Sequence, residues 1–225
     1  MVVLSIHEGL TVTRIAVIDY DMGNLHSACK GLEKAGAVPV ITDQVADLHA
    51  ADGVLLPGVG AFDPAMQHLR DRHLVGPIHE IVATGKPFLG ICVGLQVLFD
   101  GSDEGQEPGL GIIRGQIRAF QPEPHITIPH MGWNQLTLTQ PNTPLWQNVT
   151  TDDWVYFVHS YYPEPTDAAI VAATVTHGSQ TVTAAIAQDN VMAVQFHPEK
   201  SSTIGMQILS NFVSVVNQGA AVLSR

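Results

Sequence analysis

The regular alternation of apolar runs and helical segments constrains this chain more than any other feature. Arg14 to Tyr20 is an apolar run that ends in polar and glycine residues, which is typical of a buried strand followed by a loop. A helix follows, with Asn24 as its predicted N-cap and Gly36 as its stop. Residues 38–41 and 53–56 are the next predicted strands. Strands that alternate with helices predict a parallel sheet with right-handed crossovers and both faces covered.

The pattern changes in the second half of the chain. A helix over 74–84 leads to the apolar run 87–89, but beyond it turn signals outnumber helical ones. We therefore expect antiparallel strands, added to the edge of the sheet or forming a small second sheet, over 111–120, 132–138, 154–158, 170–177 and 181–188. An amphipathic helix over 203–217 closes the chain, with the inward residues Ile204, Ile208, Leu209, Phe212 and Val216. The predicted fold class is α/β, a mostly parallel central sheet flanked by helices with added antiparallel strands.

Length and composition fit one domain. A chain of 225 residues with 45% hydrophobic content suffices for a single well-buried core. No internal repeat or low-complexity linker divides it. We therefore expect one domain over 14–217, a flexible N-terminal extension over 1–13 and a C-terminal tail over 218–225.

Charge and cysteine content exclude several classes of protein. A net charge of −11 and a pI near 5.3 argue against nucleic-acid binding. No apolar stretch reaches the ~18–20 residues of a membrane span, and residues 1–13 lack the pattern of a signal peptide. Two cysteines, Cys29 and Cys92, make no disulfide framework, so a cytoplasmic protein is expected. The histidines show no metal-ligand spacing, and no metal or cofactor is predicted.

A cysteine between two glycines follows the apolar run at 87–89. Gly90-Ile91-Cys92-Val93-Gly94 predicts a strand, a sharp turn and a helix, which is the context of a nucleophile elbow. Glycines there permit strained backbone angles and close packing, and the amides of the following helix favour a thiolate. A free cysteine is more often a small buried core residue, so the segment alone leaves both interpretations open.

A second strand end supplies a base and a carboxylate. Gln195-Phe196-His197-Pro198-Glu199 follows the apolar run 191–194. On a strand, residues two apart point the same way, so we expect His197 and Glu199 to share one face, stiffened by Pro198. A thiol, an imidazole and an orienting carboxylate form the nucleophile–base arrangement of covalent catalysis. Cys92, His197 and Glu199 are therefore the predicted catalytic residues.

Glycines also follow the strand at 53–56, in Gly58-Val59-Gly60. They let backbone amides approach a ligand, and a developing oxyanion needs such donors. We predict an oxyanion hole from the amide of Val93 and an amide of this loop; an ordinary Pro-Gly turn is the alternative. Because glycines on both sides of Val59 allow its peptide plane to rotate, we expect an active and an inactive arrangement of the loop.

These segments together resemble the class I, triad-type glutamine amidotransferases, whose cysteine takes the γ-acyl group of glutamine and releases ammonia. The elbow and the His-Pro-Glu segment specify only that superfamily. A narrower resemblance, to the glutaminase subunit of imidazole glycerol phosphate synthase, rests on the segments 18–25, 57–62, 129–134, 156–161 and 195–202. Two departures are an extension before Arg14 and Asp21 where glycine is expected, and neither touches the chemistry.

The resemblance implies a flavodoxin-like fold and a two-protein enzyme. The partner is a (β/α)₈-barrel cyclase subunit, with which the chain forms a heterodimer. It uses the ammonia from glutamine to make imidazole glycerol phosphate and aminoimidazole carboxamide ribotide in histidine biosynthesis. The substrate-binding residues carried over are Gln96, His159, Ser160 and Tyr161; for His159 a structural role is favoured over that of a second base. The partner-facing positions carried over are Tyr20, Met22, Asn24, Trp133, Tyr156 and Lys200, each of which the sequence alone also allows as plain surface.

Three alternatives stay open at this point. The glutaminase subunit of another amidotransferase, such as that of anthranilate or pyridoxal phosphate synthesis, shares the triad, although the Gly-Val-Gly loop argues against it. A stand-alone cysteine hydrolase acting on γ-glutamyl compounds needs no partner. A non-catalytic, glutamine-responsive regulator is disfavoured because all three triad residues are present.

Overall fold

The computed structural model of the protein describes residues 12–223. The predicted flexible extension, 1–13, lies outside the described residues except for its last two. Of these, Thr13 is buried, and its hydroxyl donates a hydrogen bond to Asn217 on the closing helix. Among the described residues, packing therefore already includes Thr13, and the predicted domain boundaries stay a prediction.

Strands and α-helices follow one another through the described residues. The strands are β1 (Arg14–Ile18), β2 (Val38–Thr42), β3 (Gly53–Gly58), β4 (Phe88–Cys92), β5 (Gly101–Ser102), β6 (Gly115–Ala119), β7 (His130–Gln135), β8 (Thr137–Leu138), β9 (Trp154–His159), β10 (Tyr161–Pro165), β11 (Val171–His177), β12 (Gln180–Gln188) and β13 (Val191–Val194). The helices are α1 (Leu25–Lys34), α2 (Val45–Ala50), α3 (Phe62–Asp71), α4 (Val75–Ala83), α5 (Val93–Gln96) and α6 (Ser202–Leu223).

The central sheet has eight strands in the order β2-β1-β3-β4-β13-β12-β11-β8. The first five are parallel to one another. The last three pair in antiparallel fashion. Two smaller sheets, β10-β6-β5 and β7-β9, are built from strands between residues 101 and 165. The predicted α/β class is therefore confirmed. Of the two arrangements that the sequence left open for the added antiparallel strands, both occur: some extend the edge of the central sheet and others form small separate sheets.

Two helix ends illustrate how far local signals reach. Helix α1 begins after Asn24, whose side chain accepts a hydrogen bond from the amide of Ser27 at 3.2 Å, and Gly36 follows it with a φ of +90°. Helix α6, predicted to end at 217, continues to Leu223. The reason is that residues 218–223 contain no proline, and their one glycine costs a helix only about 1 kcal/mol.

Strand β10 is absent from the sequence-based prediction. It contains Pro163 and Pro165, which lack the N–H that a central strand needs. Among residues 12–223, β10 lies at the edge of its sheet and pairs with β6 on one side only. Edge strands tolerate proline because one side of their backbone needs no partner.

The five parallel strands bring three chain segments to one place. Strands β3, β4 and β13 are neighbours in the sheet, and every residue of each is buried. Gly58 and Cys92 are register partners at the carboxyl ends of β3 and β4, and the segment after β13 leads to His197. Ligand sites of open α/β sheets lie at such carboxyl ends. Within residues 12–223, no helix is long and apolar enough to cross a membrane.

Candidate active site

Cys92 occupies a strained turn between β4 and α5. Its φ of +56° and ψ of −113° lie outside the regions that residues with a side chain usually adopt. A backbone of this kind costs about 1–3 kcal/mol and persists only where the surroundings enforce it. The sequence assigned the strain to the flanking glycines, and this detail is wrong because the positive φ belongs to Cys92 itself. The sharp elbow points the thiol out of the strand.

The flanking glycines allow close packing instead. A Cβ on Gly94 would lie 1.9 Å from the carbonyl oxygen of Leu56 on β3, and one on Gly90 would lie 2.8 Å from that of Gly94. No side chain fits at either place. Helix α5 is thereby pressed against the neighbouring strand. It has only four residues, so the electrostatic help predicted for Cys92 comes from the amides of a single turn.

His197 and Glu199 form a buried pair. Nδ1 of His197 lies 2.7 Å from Oε1 of Glu199, and their side chains are 2% and 4% exposed. The predicted shared strand face is wrong: β13 ends at Val194, and residues Pro198–Lys200 form a 3₁₀ turn. This turn, which has proline at its start, folds the carboxylate back onto the imidazole. The two side chains therefore meet for a different geometric reason.

The imidazole carries a perturbed pKa. Burial alone lowers the pKa of His197, but its interactions with Cys92 and Glu199 outweigh burial and raise that pKa to about 9. Nε2 of His197 and Oε2 of Glu199 are buried and find no hydrogen-bond partner among the described residues. Cys92 is the first of the groups that raise this pKa, so the thiol and the imidazole are electrostatically coupled. A cationic imidazole beside a thiol favours the nucleophilic thiolate.

Cys92 and His197 open onto one cavity of about 390 Å³. Its size falls within the range of small-molecule sites. Most of the predicted site residues line it: Val59, Gly60, Cys92, Val93, Gln96, His159, Ser160, Tyr161, His197 and Lys200. Gly58 and Glu199 lie behind the cavity wall, in a small void that they share with His197. The structure therefore gathers segments that are far apart in sequence around a single space.

The predicted oxyanion loop borders this cavity beside the elbow. Gly58 packs against the elbow, since a Cβ there would lie 2.5 Å from the amide nitrogen of Gly94. Val59 is 36% exposed, and Gly60 has a φ of +97° that favours glycine. The loop and Val93 are thus adjacent, and their role as oxyanion donors stays a prediction.

Comparison with known proteins gives the family. The description "Glutamine amidotransferase class-I" belongs to the family model that matches residues 16–216. The imidazole glycerol phosphate synthase subunit HisH of a Cyanothece species is 69% identical over 205 residues, or 91% of this chain and 97% of that protein. The HisH subunit of Acaryochloris marina is 68% identical, with 90% and 94% covered. The chain belongs to the HisH family of class-I glutamine amidotransferases.

Solved structures share the fold of this family. A putative GMP synthase component from Thermoplasma acidophilum has a TM-score of 0.72 at 17% identity, covering 95% of this chain and 98% of its own. PurLQS from Thermotoga maritima has a TM-score of 0.66 at 21% identity, covering 95% and 100%. The predicted amidotransferase family and its fold are thus both confirmed.

The positions predicted to face a partner differ in exposure. Trp133 is 49% exposed and stands edge-on to Tyr156, with ring centroids 6.0 Å apart. Asn24 and Lys200 are exposed, and Met22 is half-buried. Tyr20 is wrong as a partner-facing residue. It is fully buried, its hydroxyl donates to the carbonyl oxygen of Pro57 at 2.8 Å, and burial raises its pKa.

Asp21 stands where the resemblance led us to expect glycine. Its φ of +63° explains that expectation, and aspartate is among the few side chains that adopt this conformation. Arg72 on the loop after α3 binds both carboxylate oxygens, with Nε and Nη2 at 2.9 Å and 2.6 Å. The side chain therefore adds an ion pair in return for a less favourable backbone.

Two further residues at the site were missed. Glu104 lines the cavity, and its Oε2 accepts a hydrogen bond from the amide of Phe62 at 2.8 Å. Nothing in the spacing of the polar segment around it singles it out. Gln195 is fully buried beside Cys92, two residues before His197, and its place in that motif was the available signal.

Two histidines of the quoted segments come together with one that lies outside them. His130, His159 and His177 meet in one cluster, in which His130 stacks on His177 with centroids 4.2 Å apart. Burial lowers the pKa of His159 to about 3, which favours the structural role over that of a second base. No group of three or more possible metal ligands occurs in the part of the chain that the structure describes.

Proposed function

We propose that this chain hydrolyses glutamine to glutamate and ammonia through Cys92, His197 and Glu199. It delivers the ammonia to a (β/α)₈-barrel cyclase subunit, which makes imidazole glycerol phosphate and aminoimidazole carboxamide ribotide in histidine biosynthesis. The observation that carries the proposal is the strained Cys92 elbow and the buried His197–Glu199 pair on one cavity. The names of the relatives, imidazole glycerol phosphate synthase subunit HisH, support the metabolic context.

The first half of the reaction forms a thioester. The Cys92 thiolate attacks the carboxamide carbon of glutamine, and the carbonyl electron pair moves to the oxygen. The amide of Val93 and an amide of the 58–60 loop stabilise that oxyanion. When the oxyanion collapses, the C–N bond breaks and His197 gives its proton to the leaving nitrogen, which departs as ammonia.

The second half releases glutamate. His197, now neutral, removes a proton from water, which attacks the thioester carbon. The C–S bond breaks, the sulfur keeps the electron pair, and His197 is again protonated. Glu199 transfers no proton; it orients the imidazole and stabilises its positive charge through the 2.7 Å hydrogen bond.

The cavity supplies groups for the rest of the substrate. Gln96, Ser160 and Tyr161 offer amide and backbone partners, as the resemblance implied. Glu104 adds a carboxylate to the lining, and we assign it to the α-ammonium group of glutamine. Opposite charges brought together in a partly enclosed site interact more strongly than in water.

The β7–β9 ribbon is the proposed partner surface. Met131 and Trp133 are 63% and 49% exposed, and both stand on the outer side of β7 while His130 and Asn134 face inward. Exposed aromatic side chains and methionines are enriched in protein interfaces. Val158 and Lys200 reach the cavity from the same part of the molecule. A heterodimer through this face, in the cytoplasm, completes the proposal.

The test is steady-state hydrolysis of glutamine by the chain alone, with the barrel subunit, and with the subunit plus a nucleotide analogue. We expect low activity alone and a rise at each addition, because the loop at Val59 is expected to need the complex for its active arrangement. Equal kcat in all three conditions would instead support the stand-alone hydrolase acting on γ-glutamyl compounds.

A further inference from the structure

Gln195 connects the nucleophile to the rest of the cavity wall. Its side chain is fully buried, and its Nε2 lies 3.8 Å from Sγ of Cys92, within reach of an N–H···S hydrogen bond. Its Oε1 accepts a hydrogen bond of 3.0 Å from Nε2 of Gln96. A glutamine amide turned the other way would direct an oxygen at the sulfur and repel a thiolate. The direction of this amide is therefore chemically important.

A backbone carbonyl sets that direction. The carbonyl oxygen of Tyr161 is approached by Nδ1 of His159 at 2.8 Å and by Nε2 of Gln96 at 3.3 Å. Because a carbonyl can only accept, both nitrogens must be donors. Gln96 therefore presents its NH₂ group to Tyr161 and Gln195, and Gln195 must turn its oxygen to Gln96. Its own NH₂ group is left facing Cys92.

The same requirement propagates in the other direction. With Nδ1 protonated, neutral His159 accepts at Nε2, and Nδ1 of His130 donates to it at 3.0 Å. Nε2 of His130 then accepts from Nδ2 of Asn134 at 3.1 Å. Nδ2 of Asn134 also donates to the carbonyl oxygen of Thr176 at 2.9 Å. A second backbone carbonyl thus imposes the same polarity from the far end.

The surroundings keep both imidazoles neutral. His130 and His159 are 4% and 5% exposed, Phe157 stacks on His130 at 4.8 Å, and Phe120 stands edge-on to His159 at 5.2 Å. Burial, with a smaller contribution from the charge of His177, lowers the pKa of His130 to about 4. Each imidazole therefore has one donor and one acceptor nitrogen, as an unbroken chain of hydrogen bonds needs.

We propose that Gln195 is a further catalytic residue, which donates a hydrogen bond to the reacting sulfur of Cys92. In the same proposal Gln96 is a positioning residue that fixes the direction of this amide, and His159, held by His130, keeps the carbonyl oxygen of Tyr161 where Gln96 needs it. The inference rests on the proposed glutaminase function and deepens it. The donor stabilises negative charge on sulfur before attack, and again when the C–S bond of the thioester breaks and the electron pair returns to sulfur.

The decisive measurement is the reactivity of the thiol in the absence of glutamine. In a Cys29→Ala background Cys92 is the sole cysteine, and its alkylation by iodoacetamide is followed by the mass of the intact chain. Gln195→Met keeps the length of the side chain and removes the donor. We expect its alkylation rate constant to fall roughly tenfold, since hydrogen bonds to charged groups are among the stronger ones. Gln207→Met, at a half-buried glutamine on α6, is the matched control and should leave the rate unchanged.

A second pair of variants separates the hydrogen-bond chain from packing. His130→Leu breaks the chain. His177→Leu removes a ring that stacks on His130 and whose hydrogen bond, to the carbonyl oxygen of Thr127, lies outside the chain. We expect roughly a threefold loss of alkylation rate and of kcat for His130→Leu, and none for His177→Leu. KM for glutamine should change less than kcat in Gln195→Met, because the lost contact is to sulfur.

Each outcome bears on one idea only. Unchanged alkylation in Gln195→Met, with Tm equal to that of the parent, overturns the role of Gln195 even if glutamine is hydrolysed. Equal losses in His130→Leu and His177→Leu overturn the positioning role and leave a packing effect. If the parent chain alkylates rapidly, Gln195→Met slows it, and no condition gives glutamine hydrolysis, the inference stands while the proposed function fails.

Discussion

The parallel strands and the β7–β9 ribbon differ in the burial of their two faces. Strands β3, β4 and β13 are buried along their whole length, and they hold the reacting groups at their carboxyl ends. The ribbon alternates, with His130 buried and Met131 and Trp133 exposed on the outer side of β7. A segment buried on both faces can only position groups at its ends. A one-sided ribbon can touch the cavity with one face and another protein with the other.

The strongest test of this division replaces the nucleophile at the end of β4. Cys92→Ser and Cys92→Ala should abolish glutamine-dependent turnover, because the thioester cannot form. Added ammonium salt should still support the cyclase reaction of the reconstituted complex, since the ribbon and the barrel are untouched. Loss of the ammonia-dependent reaction as well would mean that Cys92 serves the fold or the interface instead.

The next test ranks His197 and Glu199. His197→Ala removes the proton carrier and should lower kcat about 10²–10⁴-fold. Glu199→Gln keeps a hydrogen-bonding side chain and should cost less, because Glu199 only orients the imidazole. Glutaminase assays of the two variants in the assembled complex give the ranking. A His197→Ala variant near wild-type activity would reassign the base to another residue.

Acidification should destabilise the folded chain through His130 on the ribbon, and not through the catalytic pair. His130 has a folded-state pKa of about 4, below its ordinary value of 6.5, so the unfolded chain binds a proton there between those pH values and the folded chain does not. Stability should therefore fall as pH falls from 6.5 to 4, by up to about 3 kcal/mol from this residue. Denaturant unfolding at several pH values measures it. The free energy of unfolding of His130→Leu should decline less steeply, and parallel curves would contradict the assignment.

For His197 in the catalytic pair, the dependence of stability on pH has the opposite sign. The folded-state pKa of His197, about 9, lies above its ordinary value, so its contribution to stability is complete below pH 6.5 and is lost as pH rises through 9. His197→Gln should therefore flatten the alkaline limb of the same unfolding profile, while His130→Leu leaves that limb alone. A variant that moved both limbs equally would show that the two regions do not titrate independently.

The smallest expected effect concerns the outer face of the ribbon. Trp133→Ala should weaken binding of the barrel subunit by roughly 30-fold or more, as loss of a buried aromatic anchor does. Val38→Ala, at 45% exposure on the edge strand β2 and outside the ribbon, is the control and should change the dissociation constant little. Calorimetric titration with each variant, whose own Tm should match the parent, gives both values. Equal weakening by the two variants would argue against a specific anchor at Trp133.

Much of the fold was predictable because short stretches of the sequence already indicate which segments are buried and where helices end. Apolar runs, Asn24 and Gly36 marked the strands and the ends of α1, and the motif at Cys92 marked the elbow. Errors arose where the same local sequence is compatible with two different tertiary environments. Strand β10 was not predicted because it contains two prolines, which an edge strand tolerates. Tyr20 was assigned to the partner-facing surface because it lies near a strand end, but it is buried against Pro57.

By itself, the sequence determined the residue types at the strand ends: a thiol, an imidazole two residues from a carboxylate, and glycines where backbones must approach. Only the tertiary structure decided how they meet. It placed the positive φ on Cys92 and closed His197 onto Glu199 through a 3₁₀ turn. It also joined Gln96 to Gln195, 99 residues away, so that the backbone carbonyl of Tyr161 sets the direction of a buried amide. Hydrogen-bond polarity depends on which groups become neighbours, and sheet topology decides that rather than any local pattern.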